Sequence, residues 1–360
     1  MSADTARLTI DLDAVAANHA LLRGMAAGAE TAPVVKADGY GMDAARVARR
    51  LWAEGARTFY VARAAEGVAL RAGLGERPAS ILVFDGALPT TAAVLRDHRL
   101  TPVLNSPAQV ATWRGLQADP PACALHVDTG MNRLGLTLDE AAALSSDAAL
   151  PGLGLTLVIS HLACAAQPDH PMNALQLDRF TAIRARFPSA RASLASSAGV
   201  FLGGAYHFDQ VRPGISLYGG GPHDRCDDRL APVARLEAPV LQLRDIGPGD
   251  SVGYGADFVA ERPMRLAILG VGYADGYLRA SSPRGGVWLA GQRRPILGRI
   301  SMDLIGVDVT GGAAVREGDL AELLGHNLAL DDAAAAANAS SYEFLVRMGR
   351  RAERTWVGEA

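Results

Sequence analysis

Short apolar runs alternate with amphipathic stretches over the first two-thirds of the chain. Eight runs have the length and β-branched content of buried strands, and most gaps between them carry an Ala/Leu/Arg-rich helical pattern, such as residues 172–187. The predicted strands are residues 34–35, 59–61, 81–84, 102–104, 125–127, 155–159, 192–195 and 208–211. Eight strand–helix units predict an α/β fold with a (β/α)8 barrel of the TIM type.

Two helix starts in this region have candidate caps. Asp11 precedes one helical pattern, and Asp43 precedes another that stops at Gly55. An aspartate at this position accepts a hydrogen bond from a backbone N–H of the first helical turn. Both helices are therefore predicted to begin just after these aspartates.

The pattern changes after about Tyr218. Residues 219–224 form a cluster of turn-forming residues, and the short alternating runs beyond it, residues 240–244, 266–271, 287–289 and 305–309, are separated by Gly and Pro turns. Alanine-rich residues 331–341 predict a short surface helix. The sequence therefore predicts a barrel domain at residues 1–222 and a smaller, mostly β domain at residues 223–360.

Composition narrows the class of protein. A chain of 360 residues, 49% hydrophobic and 20% charged, can bury a large core, and its net charge of −3 gives no reason to expect binding to nucleic acid or to a membrane surface. We see no apolar run that could span a bilayer and no signal-peptide pattern. Cys123, Cys164 and Cys226 are scattered, which argues against a disulfide framework and a zinc site. We expect a cytoplasmic protein.

Lys36 ends the first predicted strand, where the glycine-containing turn of the motif at residues 33–41 begins. Burial in a closed site would lower the pKa of a lysine placed there, and a neutral amine can condense with a carbonyl group. The plainer alternative is a lysine that extends its aliphatic stem from a strand end towards solvent. The residues at the other predicted strand ends help to decide between these two interpretations of Lys36.

Polar groups follow several of the other predicted strands, where catalytic groups of such barrels lie. The candidates are Arg133 after the fifth strand, His161 after the sixth, Ser197 after the seventh, and Arg212, Gly214 and Ile215 at the end of the eighth. Each one alone has an ordinary explanation as a structural histidine, a surface salt bridge or a turn. In a barrel these strand ends all lie at one end, which we call the rim. The presence of so many polar groups at this rim is hard to explain by packing alone.

The last two of these loops predict a phosphate site. Barrels of this type often bind phosphate with the loops after strands seven and eight. Here the loops offer the Ser197 hydroxyl and the backbone amides of Gly214 and Ile215, and glycine lets the backbone approach an anion closely. A lysine and a phosphate grip together fit a phosphorylated aldehyde, and pyridoxal 5′-phosphate (PLP) is the natural candidate.

The second domain adds three motifs, at residues 252–256, 272–277 and 298–303, which contain Tyr254, Tyr273 and Met302. A tyrosine between glycines is often only a turn residue. A free phenol is a poor base at neutral pH, because its pKa is about 10. A catalytic Tyr254 would therefore need a neighbouring group that shifts the pKa of its phenol.

Together these segments resemble the alanine racemase family along nearly the whole chain, from the Lys36 motif to residues 342–345. The order, spacing and flanking residues of the motifs all agree. The resemblance implies a PLP barrel and a β domain in a head-to-tail homodimer, in which each β domain contributes to the partner's active site. It also implies an isomerase that interconverts L- and D-alanine, for peptidoglycan synthesis or for D-alanine catabolism.

The resemblance further implies a role for each motif residue. Lys36 and Tyr254 would be the two catalytic acid/bases; Lys36 would also form the internal aldimine with PLP, and Tyr254 would come from the partner subunit. Arg212 would hydrogen-bond the pyridine nitrogen, and His161 would tune Tyr254 through Arg212. The remaining cofactor-binding residues would be Tyr40, Ser197, Gly214, Ile215 and Tyr342.

Four residues would meet or admit the substrate. By the same resemblance, Arg133 and the backbone around Met302 would bind the substrate carboxylate, and Tyr273 and Arg279 would lie at the entryway. An arginine keeps its proton, so the pyridine nitrogen beside it would stay unprotonated. That weakens the electron sink and disfavours transamination.

The chain departs from the family pattern in two places. His126 stands where many members carry a carbamylated lysine that positions the arginine, so His126, Asn132 or a bound anion could orient Arg133 instead. An acidic residue common after the histidine motif is replaced near residues 166–167, so the route of substrate entry could differ.

Other functions remain as alternatives. The main one is a broad-specificity racemase acting on amino acids such as serine or lysine, because pocket volume cannot be read from a sequence. A non-catalytic PLP-binding barrel would need neither a second domain nor Tyr254. A metal-assisted aldolase would need a metal-binding cluster in the C-terminal region, and a basic amino acid decarboxylase would need a cysteine-bearing motif late in the chain; the sequence shows neither.

Overall fold

The fold was analysed in a computed structural model, which describes residues 5–116, 121–282, 284–349 and 351–359. The chain divides into two compact units. We call Ala16–Leu217 the barrel unit, and we call the residues up to Val15 together with Tyr218–Glu359 the sheet unit. The predicted boundary between residues 222 and 223 stays a prediction.

The chain begins with a strand and a helix. Strand β1 (Arg7–Asp11) leads directly into helix α1 (Leu12–Met25). The Asp11 carboxylate accepts a hydrogen bond from the backbone N–H of Ala14 at 2.9 Å, which is the cap predicted from the sequence.

Parallel strands form the barrel unit. They are β2 (Glu30–Thr31), β3 (Thr58–Val61), β4 (Ser80–Val83), β5 (Thr101–Leu104), β6 (Cys123–His126), β7 (Leu155–Ile159), β8 (Arg191–Ser193) and β9 (Gln210–Val211). Strands β3 to β8 pair in sequence order, and β2 pairs with β9. Single bridges from Val34 to Tyr60 and from Ser196 to Arg212 join this pair to the two edges of the six-stranded sheet. The ring therefore closes, and the predicted barrel is confirmed.

The first barrel strand lies earlier than predicted. Its ladder pairs occur in β2, and Val34 contributes only one bridge before the chain turns at Lys36. The helices that follow the strands are α2 (Lys36–Tyr40), a single turn described below, α3 (Ala44–Ala53), α4 (Ala64–Leu74), α5 (Ala92–Asp97), α6 (Pro107–Arg114), α7 (Leu138–Ser145), α8 (Pro171–Arg184) and α9 (Ser197–Phe201). The predicted helix at residues 172–187 is α8.

The second predicted cap is also present. The Asp43 carboxylate accepts from the backbone N–H of Arg46 at 3.0 Å, at the start of α3. Gly55 follows the helix with a φ of 94°, a conformation that favours glycine. All four residues of β3 are buried, as expected for a strand covered on both faces.

The sheet unit is mostly β. Its strands are β1, β10 (Ala234–Ile246), β11 (Ser251–Val252), β12 (Phe258–Val259), β13 (Met264–Leu269), β14 (Gly286–Leu289), β15 (Gln292–Leu297), β16 (Ile305–Asp308), β17 (Leu320–Leu324) and β18 (Glu353–Val357). The main sheet has the order β13-β16-β15-β14-β17-β10-β1-β18, and β13 also pairs with β10. The long strand β10 thereby closes a ring of strands, and β1 and β18 extend it.

Two helices complete the sheet unit, α10 (Leu330–Ala336) and α11 (Ser341–Arg347). Helix α10 is the predicted alanine-rich helix, but it is not purely a surface element, because Leu330, Asp331 and Ala334 are buried. The Asp331 carboxylate is satisfied there by the N–H of Gly221, at 2.9 Å, and by the hydroxyl of Ser341. Across the described parts of the chain, every helix is too short or too polar to cross a bilayer.

Candidate active site

Lys36 lies two residues after the Val34 bridge, where the chain leaves the first barrel strand and turns. Just before it, the N–H of Val35 donates to the carbonyl of Tyr60 at 2.8 Å, which fixes the strand end against β3. Burial lowers the pKa of the Lys36 amine, the charge of Arg133 lowers it further, and Glu66 opposes both. Lys36 is also the only lysine in the 360-residue sequence, a signal that the pattern of strands and motifs does not reveal.

A left-handed turn follows Lys36. Residues 37–40 have φ angles of 52°, 54°, 64° and 57°, and only Gly39 among them is a glycine. Left-handed backbone costs a non-glycine residue about 1–2 kcal/mol, so contacts from the rest of the barrel unit must hold this turn. The turn carries Tyr40, whose side chain is buried.

Tyr40 lies directly against the loop that follows β9. A Cβ atom added to Gly214 would stand 2.2 Å from the Tyr40 hydroxyl oxygen, so this position requires glycine. The N–H groups of Gly214 and Ser216 donate to the Ser197 hydroxyl oxygen at 2.8 and 3.2 Å. Ile215 lies between these two residues and is buried. The predicted phosphate-binding groups of the barrel are thus gathered in one place.

Arg212 is buried in the same rim. Its Nη1 donates to the Ser193 hydroxyl and its Nη2 donates to the Ser160 carbonyl, both at 2.5 Å. Burial lowers the pKa of Arg212, and the nearby Tyr60 phenol raises it. These two bonds fix the plane of the guanidinium group, which can hold its orientation without a further partner.

Two histidines near the rim are uncharged at neutral pH. Burial, followed by the charges of Arg212 and Arg133, lowers the pKa of His161 well below its ordinary value. Burial is also the main reason why the pKa of His126 falls to about 4, and the same two arginines lower it while Asp128 raises it. At neutral pH the two arginines therefore contribute positive charge near the rim, and the two histidines do not.

The hydrogen bonds of Asn105 fix the tautomer of His126. The Asn105 amide nitrogen donates to the carbonyls of Phe84 and Val103, both at 2.8 Å, so its Oδ1 is the acceptor. His126 Nδ1 lies 2.8 Å from this Oδ1 and must carry the hydrogen. In the neutral ring the other nitrogen, Nε2, is then an acceptor.

Arg133 is carried by a loop with its own internal support. The Asp128 carboxylate accepts from the N–H groups of Gly130, Met131 and Asn132, each at 2.8 Å. The Arg133 side chain itself is exposed in the barrel unit. The loop thus presents an exposed guanidinium group on a backbone held by Asp128.

Gln176 of α8 ties two site loops together. Its amide nitrogen donates to the His161 carbonyl at 2.9 Å and to the Thr129 hydroxyl at 3.2 Å, and its oxygen accepts from the Ala163 N–H at 2.8 Å. The sequence analysis missed Gln176, because nothing marks one polar position of a helix as buried. It also missed Asn105 and Glu66; Asn105 directly follows β5, so the strand-end rule could have found it.

The other predicted site residues belong to the sheet unit. Tyr254, Tyr273 and Arg279 line one cavity of about 1040 Å³, together with Arg299 and Ser301. The N–H of Tyr273 donates to the Ser301 carbonyl at 3.1 Å, and the N–H of the next residue donates to the Met302 carbonyl at 3.0 Å. These bonds connect the second and third motifs of this domain.

All five predicted site residues of the sheet unit are exposed to solvent in the single chain. The exposed fraction is 71% for Tyr254, 52% for Met302 and 42% for Tyr342, which lies on α11. Exposed large apolar surface often marks a contact with another chain. Lys36, Tyr40, Arg133, His161, Ser197, Arg212, Gly214 and Ile215 all belong to the barrel unit, and Tyr254, Tyr273, Arg279, Met302 and Tyr342 all belong to the sheet unit.

Known protein families match both halves of the chain. The alanine racemase N-terminal domain family matches residues 10–222, and the alanine racemase C-terminal domain family matches residues 233–356. The catabolic alanine racemase of Mesorhizobium japonicum and the biosynthetic alanine racemase of Agrobacterium fabrum are each 44% identical, over 98% of this chain and 93% of theirs. The alanine racemase of Bartonella henselae, solved with covalently bound pyridoxal phosphate, is 36% identical, with a TM-score of 0.93 over 98% of this chain and 99% of that one. This chain belongs to the alanine racemase family.

Proposed function

We propose that this protein is a PLP-dependent alanine racemase that interconverts L- and D-alanine. The observation that carries the proposal is the placement of the chain's only lysine. Lys36 follows a barrel strand, its pKa is lowered by burial, and the rim around it gathers Tyr40, Ser197 and Arg212. A lysine of this kind is suited to bond covalently to an aldehyde cofactor.

The residues present fit PLP. The close approach of Gly214 and Tyr40 leaves no room for a Cβ, which suits a site where backbone amides meet an anion. We infer that Tyr40, Ser197, Gly214 and Ile215 hold the phosphate, and that Tyr342 of the sheet unit also does so. When bound, PLP withdraws electrons from the substrate Cα and makes its proton easier to remove.

Arg212 would face the pyridine nitrogen. Its bonds to Ser193 and Ser160 hold the guanidinium plane, and an arginine does not give up its proton at neutral pH. It would therefore donate a hydrogen bond and leave this nitrogen unprotonated. The weaker electron withdrawal that results favours return of the proton to Cα over transamination.

Proton transfer at Cα would use two residues. Lys36 would act on one face of the substrate, because its lowered pKa leaves more of the amine able to accept a proton. Tyr254 would act on the opposite face, with His161 tuning it through Arg212. Tyr254 is largely exposed in the single chain, which fits a residue that serves the site of a partner subunit in a head-to-tail homodimer.

The substrate would be held at its carboxylate. Arg133 and the backbone around Met302 would bind this group, and Tyr273 and Arg279 would line the entryway that admits it. D-alanine could supply peptidoglycan synthesis or be catabolised, and relatives of both kinds are equally identical to this chain. We expect the enzyme to work in the cytoplasm.

The test begins with the lysine. Wild-type protein incubated with PLP and reduced with borohydride should carry the cofactor on the peptide that contains Lys36, and Lys36→Ala should lose both this adduct and racemisation. Wild type should also racemise alanine faster than serine or other amino acids. A reduced adduct at the α-amino group alone, or racemisation by Lys36→Ala, would contradict the proposal.

A further inference from the structure

Glu66 makes more hydrogen bonds than its place in a helix requires. It is the third residue of α4, and its Oε2 accepts from the N–H groups of Ala62 and Arg63 at 2.7 and 3.3 Å, next to the helix start. Its Oε1 accepts from the N–H of Ala37 at 2.9 Å, 29 residues away. One carboxylate therefore joins the end of β3 to the residue that follows Lys36.

The peptide unit that Glu66 binds is the one between Lys36 and Ala37. The direction of its N–H depends on ψ of Lys36 and φ of Ala37, so a hydrogen bond to this group constrains both angles. Ala37 is also the first of the four left-handed residues, with a φ of 52°. The hydrogen bond from the Ala37 N–H to Glu66 is thus made where the left-handed stretch of backbone begins.

The rest of the turn is held mainly by its own backbone. The N–H of Gly41 donates to the Ala37 carbonyl at 2.9 Å, and the N–H of Asp43 donates to the Asp38 carbonyl at 3.0 Å. At the exit, the Asp38 carboxylate accepts from the N–H of Ala44 at 3.0 Å. Glu66 makes the corresponding side-chain contact at the start of the turn, and Glu66 belongs to a different strand–helix unit.

We propose that Glu66 is a positioning residue that holds the left-handed turn and thereby directs Lys36 and Tyr40 into the barrel rim. The hand of the turn determines on which side Tyr40 leaves the backbone, and Tyr40 must reach Gly214. The inference rests on the proposed function only where it concerns PLP. The geometry of the turn and the direction of the Lys36 amine can be tested without the cofactor.

Glu66 also acts on Lys36 through its charge, because it raises the pKa that burial and Arg133 lower. Replacement by glutamine alters both the hydrogen bonds and the charge of Glu66. Glutamine has one acceptor oxygen, so it cannot accept from Ala37 and from Ala62 at the same time, and its amide group would face one of these N–H groups. Glu66→Gln therefore breaks one link and removes the charge.

Two further substitutions make the test specific. Glu140 is the third residue of α7, and it accepts from the N–H of Thr137 at 2.9 Å, so Glu140→Gln is a matched control for loss of a helix-start contact. Ala37→Gly removes the cost of positive φ at the first left-handed position, because glycine adopts this conformation freely. If Glu66 stabilises the turn, Ala37→Gly should partly rescue Glu66→Gln.

The first measurement is equilibrium binding of PLP to apoenzyme of wild type, both Gln variants and the Ala37→Gly/Glu66→Gln double variant. Glu66→Gln should weaken PLP binding by about tenfold, the effect of one lost hydrogen bond, and Glu140→Gln should change it by less than about twofold. The double variant should recover part of the loss. Unchanged binding in Glu66→Gln, or no recovery in the double variant, would overturn the inference.

The second measurement needs no cofactor. An amine reagent such as trinitrobenzenesulfonate can modify only one lysine side chain, that of Lys36, and mass spectrometry distinguishes this product from those at the α-amino group and at the three cysteines. The midpoint of the rate–pH curve reports the charge effect and should fall in Glu66→Gln with or without Ala37→Gly. The plateau of the modification rate at high pH, where the amine is uncharged, reports how accessible the Lys36 amine is to the reagent. This plateau rate should differ from wild type in Glu66→Gln and should return towards the wild-type rate in the double variant.

These results also separate the two proposals. Wild-type protein that binds no PLP would contradict the proposed function, while the plateau of Lys36 modification would still test the turn. A plateau that is equal in wild type and Glu66→Gln would overturn the role of Glu66 even if PLP binds. Should Glu66→Gln fail to fold, the double variant should fold, and its failure to do so would also count against the inference.

Discussion

At the scale of single residues, Arg212 has the most specific predicted effect. Its guanidinium group is buried and oriented by Ser193 and Ser160, and it would leave the pyridine nitrogen of PLP unprotonated. Arg212→Glu should allow this nitrogen to take up a proton. We expect racemisation to slow by about a hundredfold, as for other preorganised donors, and transamination to increase relative to it.

The measurement is the partition between racemised alanine and pyruvate formed by transamination. Arg212→Gln is the control, because it removes the positive charge without placing a carboxylate beside the ring. Its partition should lie between those of wild type and Arg212→Glu. The same partition in all three proteins would show that Arg212 does not control the pyridine nitrogen.

A second residue-scale prediction concerns carbon dioxide. His126 stands where many relatives have a carbamylated lysine, and Lys36 is the only lysine from which this chain could form a lysine carbamate. A carbamate on Lys36 would consume the amine that the proposed reaction needs. Racemase activity should therefore be the same before removal of carbon dioxide, after it, and after bicarbonate is restored.

The assay should use protein equilibrated in degassed buffer, with a relative that has the modified lysine as the positive control. A reversible loss of activity in this protein would mean that His126 does not replace the carbamate. The neutral ring of His126 directs its Nδ1 hydrogen to Asn105, which leaves Nε2 as an acceptor, and the charge of Arg133 is among the influences that lower the pKa of His126.

The sequence predicted the strand-end residues better than the residues that support them. Lys36, His161, Ser197 and Arg212 follow strands, and a strand end in a barrel has a known direction. The support comes from Asn105, Gln176 and Glu66, whose contacts join different strand–helix units. Such contacts depend on how neighbouring units pack, and a local pattern contains no information about them.

At the scale of elements, the left-handed turn after Lys36 is a feature that the hydrophobic pattern of the sequence does not predict. The apolar run before Lys36 predicted a strand there, although its ladder pairs lie earlier in β2. The hand of residues 37–40 could not be predicted, because Ala, Asp and Tyr all favour right-handed backbone. Residues distant in sequence contact this turn, since Glu66 accepts from the Ala37 N–H and Gly214 lies against the Tyr40 side chain.

This close packing gives an element-scale prediction. Gly214→Ala would place a methyl group 2.2 Å from the Tyr40 hydroxyl oxygen, so the turn or the loop after β9 must move. Overpacking of this kind costs about 1–3 kcal/mol. We expect a lower thermal unfolding temperature and PLP binding weakened by roughly tenfold or more.

The control is Gly204→Ala, because a Cβ there meets nothing within 4 Å. That variant should match wild type in both measurements. Tyr40→Phe removes the hydroxyl oxygen, so the Tyr40→Phe/Gly214→Ala double variant should regain stability relative to Gly214→Ala alone. Equal stability of wild type and Gly214→Ala would show that the contact is looser than the structure indicates.

At the scale of the whole molecule, the two units carry complementary halves of the proposed chemistry. The barrel unit holds Lys36 and Arg212, and the sheet unit holds Tyr254, whose side chain is 71% exposed in the single chain. The sequence predicted both architectures, because the change from strand–helix alternation to short paired strands is visible along the chain. It could not show whether Tyr254 serves the site of its own chain or that of the partner in the proposed dimer.

A mixing experiment answers that question. For the proposed homodimer, Lys36→Ala and Tyr254→Phe should each be nearly inactive. If the two residues of one site come from different subunits, a mixed dimer has one site with both defects and one site with neither. Random pairing of equal amounts makes half of the dimers mixed, so activity should return to roughly a quarter of wild type in a symmetric dimer.

The control must show that subunits exchange during co-refolding, which differential tags on the two variants and recovery of doubly tagged dimers can establish. The same tagged chains refolded separately and then combined without denaturant should stay inactive if exchange is slow. If both residues served one site from the same chain, each site of a mixed dimer would retain one defect. No recovery of activity in proven mixed dimers would therefore refute the shared site, and a return to about a quarter would place Tyr254 opposite the partner's Lys36.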